Sequence, residues 1–121
     1  GLGCLPSSII FRPFGAHMKE SEIRKKAVAL LVSGNWIYWY PPKVKFKQND
    51  IFGVFDIICC EKKVGDLKFI QLTTVSNLSA RRKKIQSFLT ENKIHSKISR
   101  NADLEIWAWS KRRKSFKIEL I

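Results

Sequence analysis

Acidic side chains are scarce in this sequence. Ten Asp and Glu stand against 23 Lys and Arg in 121 residues, a formal net charge of +13. Charge of one sign repels itself in a compact chain, so the excess points to a polyanionic partner. Nucleic acid is the first candidate, because neutralising phosphates and releasing their counterions supplies most sequence-independent affinity. A solubility surface, or a ribosome-associated RNA-binding protein without chemistry, is the plainer alternative.

Other shortages exclude whole classes. The three cysteines, Cys4, Cys59 and Cys60, form no C-x-x-C pair. Neighbouring strand residues face opposite ways, so Cys59 and Cys60 neither share a metal nor pair easily. They read as buried thiols in a reducing compartment. The two histidines, His17 and His95, lie far apart in sequence and suggest no zinc site. No apolar run approaches the roughly 20 residues of a spanning helix, so no membrane partner is expected. Repeats and low-complexity tracts are missing too. The 45% hydrophobic content supports one folded domain with one core.

The first 17 residues, GLGCLPSSIIFRPFGAH, differ in character from the rest. They lack the basic and apolar regions of a signal peptide. The single methionine, Met18, reads as the native start. Residues 1–17 are therefore expected to be expression-derived or unstructured, with a genuine N-terminal arm as the alternative, and residues 18–121 to form the domain.

From Lys19 the pattern is helical. Ile23, Ala27, Leu30 and Leu31 recur at i, i+4, i+7 and i+8 with basic residues opposite, and Gly34-Asn35 ends the run. Glu20 and Glu22 lie in the first turn, where the helix dipole favours negative charge. Residues 36–40 have strand composition and stop at Pro41-Pro42. Residues 44–47 alternate apolar and basic, as a short exposed extension would. Residues 54–60 and 67–73 read as strands joined by a hairpin loop. A helix is expected over about 80–91, with Ile85, Phe88 and Leu89 as its stripe and residues 76–79 as cap candidates. Two final strands, 104–109 and 116–121, flank a basic turn. The order α-β-β-β-α-β-β predicts an α/β (α+β) fold with a mixed sheet flanked by helices.

Within this basic chain, "NDIFGVFDIICC" places Asp56 inside an apolar run, six residues after Asp50. Strand alternation puts Val54, Asp56, Ile58 and Cys60 on one face, and Leu67, Phe69, Gln71 and Thr73 on one face of the next strand. A hairpin between them brings Asp56 near Gln71 and Thr73. Gly53 bends the chain so that Asp50 can return to the same spot. Two carboxylates, an amide carbonyl and a hydroxyl are the oxygen donors that Mg²⁺ or Mn²⁺ prefers. Burying a carboxylate without a partner is costly, whereas a metal-bound one is compensated.

These elements, with "DIFGVFDII", "IQLTT" and "SNLSARRKKI", resemble the PD-(D/E)XK nuclease superfamily and, within it, small proteins similar to Holliday-junction resolvases. The resemblance covers residues 19 to about 109. It implies a restriction-endonuclease-like αβββαββ core and hydrolysis of DNA phosphodiester bonds, plausibly in branched or structured DNA. It also implies a cytoplasmic setting, nucleoid-associated in a prokaryote or encoded by a virus. Asp56 matches the central metal-binding aspartate, Gln71 the second ligand, and Asp50 the extra aspartate of an Asp-x-Phe-Gly element. Glu22, with Glu20 as second choice, matches the helix-borne acid. The Glu-x-Lys triplet of the superfamily is Gln71-Leu72-Thr73 here, so a negative ligand and the lysine are missing. Arg81 and Lys84, one turn apart, are candidates for a migrated cation. Arg81, Arg82, Lys83, Lys84, Lys111, Arg112, Arg113, Lys45 and Lys47 are the expected nucleic-acid contacts. Paired cuts in a junction leave room for a homodimer.

Each role has a plainer rival. Asp56 can be a strand-end residue paired to a lysine, Asp50 a turn residue, and Glu22 a partner for Lys26. The run at 81–84 can be a solvated helix face. Of each tryptophan pair, Trp36 with Trp39 and Trp107 with Trp109, one member is expected in the core and one on the surface. The chain as a whole can be a non-catalytic nucleic-acid-binding module.

Overall fold

The computed structural model of the protein describes residues 18–45, 47–95, 98 and 101–121; the expectation for residues 1–17 lies outside them. Helix α1 (Glu20–Ser33) is followed by β1 (Trp36–Trp39), a two-residue-per-strand ribbon of β2 (Lys43–Val44) and β3 (Lys47–Gln48), then β4 (Ile57–Glu61) and β5 (Leu67–Thr74). A 3₁₀ turn (Val75–Asn77) leads into α2 (Leu78–Glu91), and β6 (Ala102–Ser110) and β7 (Ser115–Leu120) close the chain. The class is α+β, with a five-stranded mixed sheet ordered β1-β4-β5-β6-β7. All neighbours are antiparallel except β5 and β6, which are parallel. A parallel pair needs a long crossover, and α2 supplies it.

Strand alternation sorts the core into two layers. On one side Phe69, Leu104, Ile106 and Ala108 meet Leu78, Ile85 and Leu89 of α2. On the other, Ile57, Cys59, Ile70, Leu72, Trp107 and Trp109 meet Ile23, Ala27 and Leu31 of α1. The central strands β5 and β6 are thus covered on both faces, which explains their near-continuous apolar runs.

Several boundaries and faces differ from the sequence reading. Leu30 is 49% exposed and stands outside the core stripe, which Ile23, Ala27 and Leu31 carry at spacings of four. The second strand begins at Ile57 rather than at residue 54, because residues 51–55 close a tight turn of their own. The second helix begins at Leu78, not near residue 80, and its first turn buries Leu78. Trp107 and Trp109 are both buried: residues two apart on a strand share a face, so they enter the same layer. Lys43–Val44 and Lys47–Gln48 pair as a ribbon rather than forming a simple extension.

β1 and β7 are the sheet edges, and Ile37, Tyr38 and Trp39 of β1 are exposed. Arg82 of α2 grips Glu119 of β7 through both guanidinium and carboxylate edges, with Nη2 to Oε1 at 2.8 Å. That hydrogen-bonded pair holds the Glu119 carboxyl below the usual range. The burial contrast predicts that Ile85→Ala, at a fully buried site, lowers unfolding free energy by about 2–5 kcal/mol. Leu30→Ala should stay within roughly 0.5 kcal/mol. Urea denaturation of both variants checks this; equal losses would contradict the two-layer packing.

Candidate metal centre and nucleic-acid interface

The site begins with a turn. Ile51 and Phe55 exchange backbone hydrogen bonds at 2.7 and 2.9 Å, and Val54 N–H donates to the Ile51 carbonyl at 3.0 Å. Phe52 (φ 56°) and Gly53 (φ 72°) hold the positive φ values that a type I′ turn requires. Phe52 tolerates this conformation while its ring stacks beside Phe69 and Phe88, at 5.9 Å from each. Because 51 and 55 are paired, Asp50 and Asp56 are the next residues outward on the two arms. The turn therefore brings the two aspartates to one place, as the Gly53 bend anticipated.

Asp56 stands at the entrance to β4, opposite Gln71 by the β4–β5 register. Its backbone N–H still joins the ladder, donating to the Ile70 carbonyl at 2.8 Å. Its Oδ2 accepts from the Leu72 N–H at 2.7 Å and from Gln71 Nε2 at 2.8 Å. Gln71 is only 3% exposed; its Nε2 also donates to the Leu72 carbonyl, and its Oε1 is buried with no hydrogen-bond partner. The amide thus shows Asp56 its nitrogen, not the carbonyl expected of a metal ligand, because a carboxylate oxygen calls for a donor. Desolvation pushes the Asp56 carboxyl up to about 7; the Leu72 hydrogen bond opposes this, Asp50 and Glu20 add to it, and Arg81 opposes it.

The buried carboxylate of β6 shows what compensation looks like. Glu105, 7% exposed on β6, accepts from the Trp107 indole at 2.9 Å and pairs with Lys68 at 3.3 Å. No ion pair among the described residues reaches Asp56, so the lysine-paired alternative is not what the structure shows. Cys59 needs no functional explanation either, since burial pushes its thiol up to about 12.

A cavity of about 310 Å³ opens over Asp56 at the C-terminal end of β5, lined among others by Glu20, Asp50, Gln71, Thr73, Asn77 and Arg81. Glu22 does not line it: its Oε1 caps the Lys19 backbone N–H at 3.2 Å. Glu20 takes that place, and the signal was present, since Glu20 lies three and seven residues before the buried Ile23 and Ala27. Lys84 is likewise outside the lining, and Arg81 is the cation that α2 offers. Asn77, one of the cap candidates at 76–79, stands at the cap position of α2 and donates from Nδ2 to Thr74 Oγ1 at 3.4 Å.

The expected nucleic-acid contacts scatter. Arg82 is bound to Glu119 and is a structural clamp. Lys83 is exposed and Lys84 half-buried on α2. Lys45, exposed, turns the β2–β3 ribbon at φ 49°, and Lys47 contributes backbone to β3. Lys111, Arg112 and Arg113 form the β6–β7 turn and line a second cavity, of about 760 Å³.

No group of three or more His, Cys, Asp and Glu placed to hold a metal occurs among the described residues. Two aspartates, the orphaned Gln71 oxygen and the Thr73 hydroxyl nevertheless fit Mg²⁺, which takes one or two carboxylates and fills its shell with water and phosphate. No helix among the described residues is long and apolar enough to cross a membrane. Comparison with protein-family models, with curated proteins and with solved structures finds no match.

Asp56 carries a pH signature. Its folded-state value lies above that of an ordinary aspartate, so the folded chain binds the extra proton between about pH 4 and pH 7. Stability from this group is present at low pH and is lost as pH rises through 7. Each pKa unit is worth about 1.4 kcal/mol, so the neutral-pH penalty is on the order of a few kcal/mol. In EDTA buffer, Asp56→Asn should therefore melt at least about 4 °C above wild type at pH 8, using 4–8 °C per kcal/mol. The difference should vanish near pH 4; one that is independent of pH would refute the assignment.

Proposed function

We propose that the protein is a Mg²⁺- or Mn²⁺-dependent endonuclease that hydrolyses DNA phosphodiester bonds, a PD-(D/E)XK-type enzyme acting on branched or structured DNA as Holliday-junction resolvases do. The observation that carries this reading is the convergence of Asp50, Asp56, Glu20 and Gln71 in one cavity of a chain with net charge +13. Asp56 is half-buried there, in no ion pair among the described residues, with its carboxyl pushed up to about 7. The antiparallel β4–β5 pair followed by the parallel β6 fits the core that this superfamily implies.

Asp56 and Asp50 would hold the ion, with Gln71 joining through Oε1 once its amide turns. A bound divalent ion lowers the pKa of water, polarises the phosphate and steadies the leaving oxygen. Arg81, also in the cavity lining, meets the non-bridging phosphate oxygens and takes over part of the missing lysine's role. Glu20 accepts a hydrogen bond from the attacking water and aims it. The Thr73 hydroxyl supplies a neutral donor or acceptor at the cavity floor. The paired cuts of junction resolution call for a two-fold dimer with two such sites.

The alternative is a binding module without hydrolysis. It is favoured by the Gln71 amide, whose nitrogen satisfies Asp56 directly. Four-way-junction and supercoiled DNA, incubated with Mg²⁺ or Mn²⁺, separate the two. Cleavage should require the ion and fall more than about a hundredfold in Asp56→Ala, since even outer-shell partners of a metal cost 10–100-fold. Mn²⁺ should also raise the melting temperature of wild type and not of Asp56→Ala. Absence of cleavage with every divalent ion, or undiminished cleavage by Asp56→Ala, would leave the binding module.

A further inference from the structure

We propose that the groove at the β6–β7 turn binds an unpaired DNA strand, so that the candidate site works beside a splayed or single-stranded segment rather than inside continuous duplex. This deepens the nuclease reading and rests on it for the position of the cut. Its own evidence is the groove.

The groove, about 760 Å³, lies next to the carboxylate cavity, and the two share Met18 and Thr74 in their linings. One wall is apolar: Val75, Trp109 and Phe116. Phe116 packs on the Trp107 and Trp109 rings at 5.5 and 5.1 Å, so this wall is fixed in place. The rim is cationic, with Arg112, Arg113 and Lys117. It is also preset. Lys114 turns the chain at φ 52°, the Arg113 N–H donates to Ser110 Oγ at 3.1 Å, and the Arg82–Glu119 clamp ties β7 to α2.

Duplex DNA presents phosphates outward and hides its base faces, so a convex basic surface suffices to hold it. A concave trough with an apolar wall and a cationic rim suits a strand whose bases are free to leave the stack. Single-strand binders combine these two features, a positive groove for the backbone and aromatic or apolar faces for bases. Charge complementarity sets the orientation: phosphates along the Arg112–Arg113 rim, bases toward Phe116 and Val75. A strand seated there runs past Thr74 toward Asp56.

Binding in EDTA tests the groove without requiring cleavage. Fluorescence anisotropy with a labelled 20-nucleotide single strand, a forked duplex, a blunt duplex and an RNA strand gives the comparison. The fork and the single DNA strand should bind at least about tenfold more tightly than the blunt duplex, given roughly 1–3 kcal/mol per stacked base. The double variant Arg112→Ala/Arg113→Ala should lose that preference. Its slope of log K against log salt should fall by about 1.4, at about 0.7 per phosphate contact on a single strand. Lys62→Ala/Lys63→Ala, with equal charge loss in the exposed β4–β5 turn, should change the single-strand affinity less than twofold. Photocrosslinking of 5-iodouracil-containing strand to wild-type protein should map to residues 109–117. Equal losses in both double variants, a blunt duplex bound as tightly as the fork, tighter binding of RNA, or adducts only elsewhere would each overturn the proposal. Groove adducts without cleavage under any divalent ion would leave the groove standing and remove the nuclease.

Discussion

The structure turns on one acceptor atom. Asp56 Oδ2 takes the Leu72 N–H and the Gln71 amide at the point where β4 meets β5, in a half-buried position. Those two bonds fix where the hairpin begins, stitch the tight turn at 51–55 to the sheet, and orient Gln71. They do not neutralise the charge. A chain with many more cations than anions has lysines and arginines to spare, yet among the described residues none is in an ion pair with this carboxylate, whereas Glu105 on β6 receives both an indole and an ammonium. The difference between the buried Glu105 and the half-buried Asp56 is what separates a structural carboxylate from a candidate working one.

The surrounding fold serves that placement. Parallel pairing of β5 with β6 forces a crossover, and the crossover helix starts immediately beyond the end of β5. Arg81 is therefore delivered to the cavity by the connection itself. Helix α1 approaches from the other layer and brings Glu20. The site is a meeting of two helix beginnings and a strand end, so its members are far apart in the chain while each sits on a rigid element. Asp50 and Asp56 flank a loop, and that loop is locked by paired backbone bonds and by stacking of Phe52.

Much of this was legible. Periodicity located both helices, and composition located the strands of the central sheet, because long patterned segments carry a strong signal. Asp56 stood out by contrast with its apolar neighbours, and the short hairpin connection was enough to set it against Gln71. What was not legible depended on rotation and on local hydrogen bonding. Glu22 and Glu20 are separated by about 200° on a helix, and capping took the former away from the cavity. Leu30 is apolar and in near-register, but the stripe that α1 buries is narrow, and nothing in composition marks its edge. Arg82 looks like any member of a basic run; only the neighbouring strand, brought in by tertiary pairing, reveals that its charge is already spoken for. The direction of the Gln71 amide is likewise set by a neighbour fifteen residues earlier.

The exposed edge at β1 has a consequence for handling the molecule. Ile37 and Trp39 present apolar side chains on a strand whose outer edge pairs with no other strand among the described residues. Such an edge invites like edges to zip together. Mutual repulsion between highly cationic copies is a colloidal guard against that encounter, and dissolved ions shorten its reach to about 8 Å at physiological strength. High salt during purification would therefore lower the barrier between copies, and dilution rather than salt is the gentler way to keep them apart.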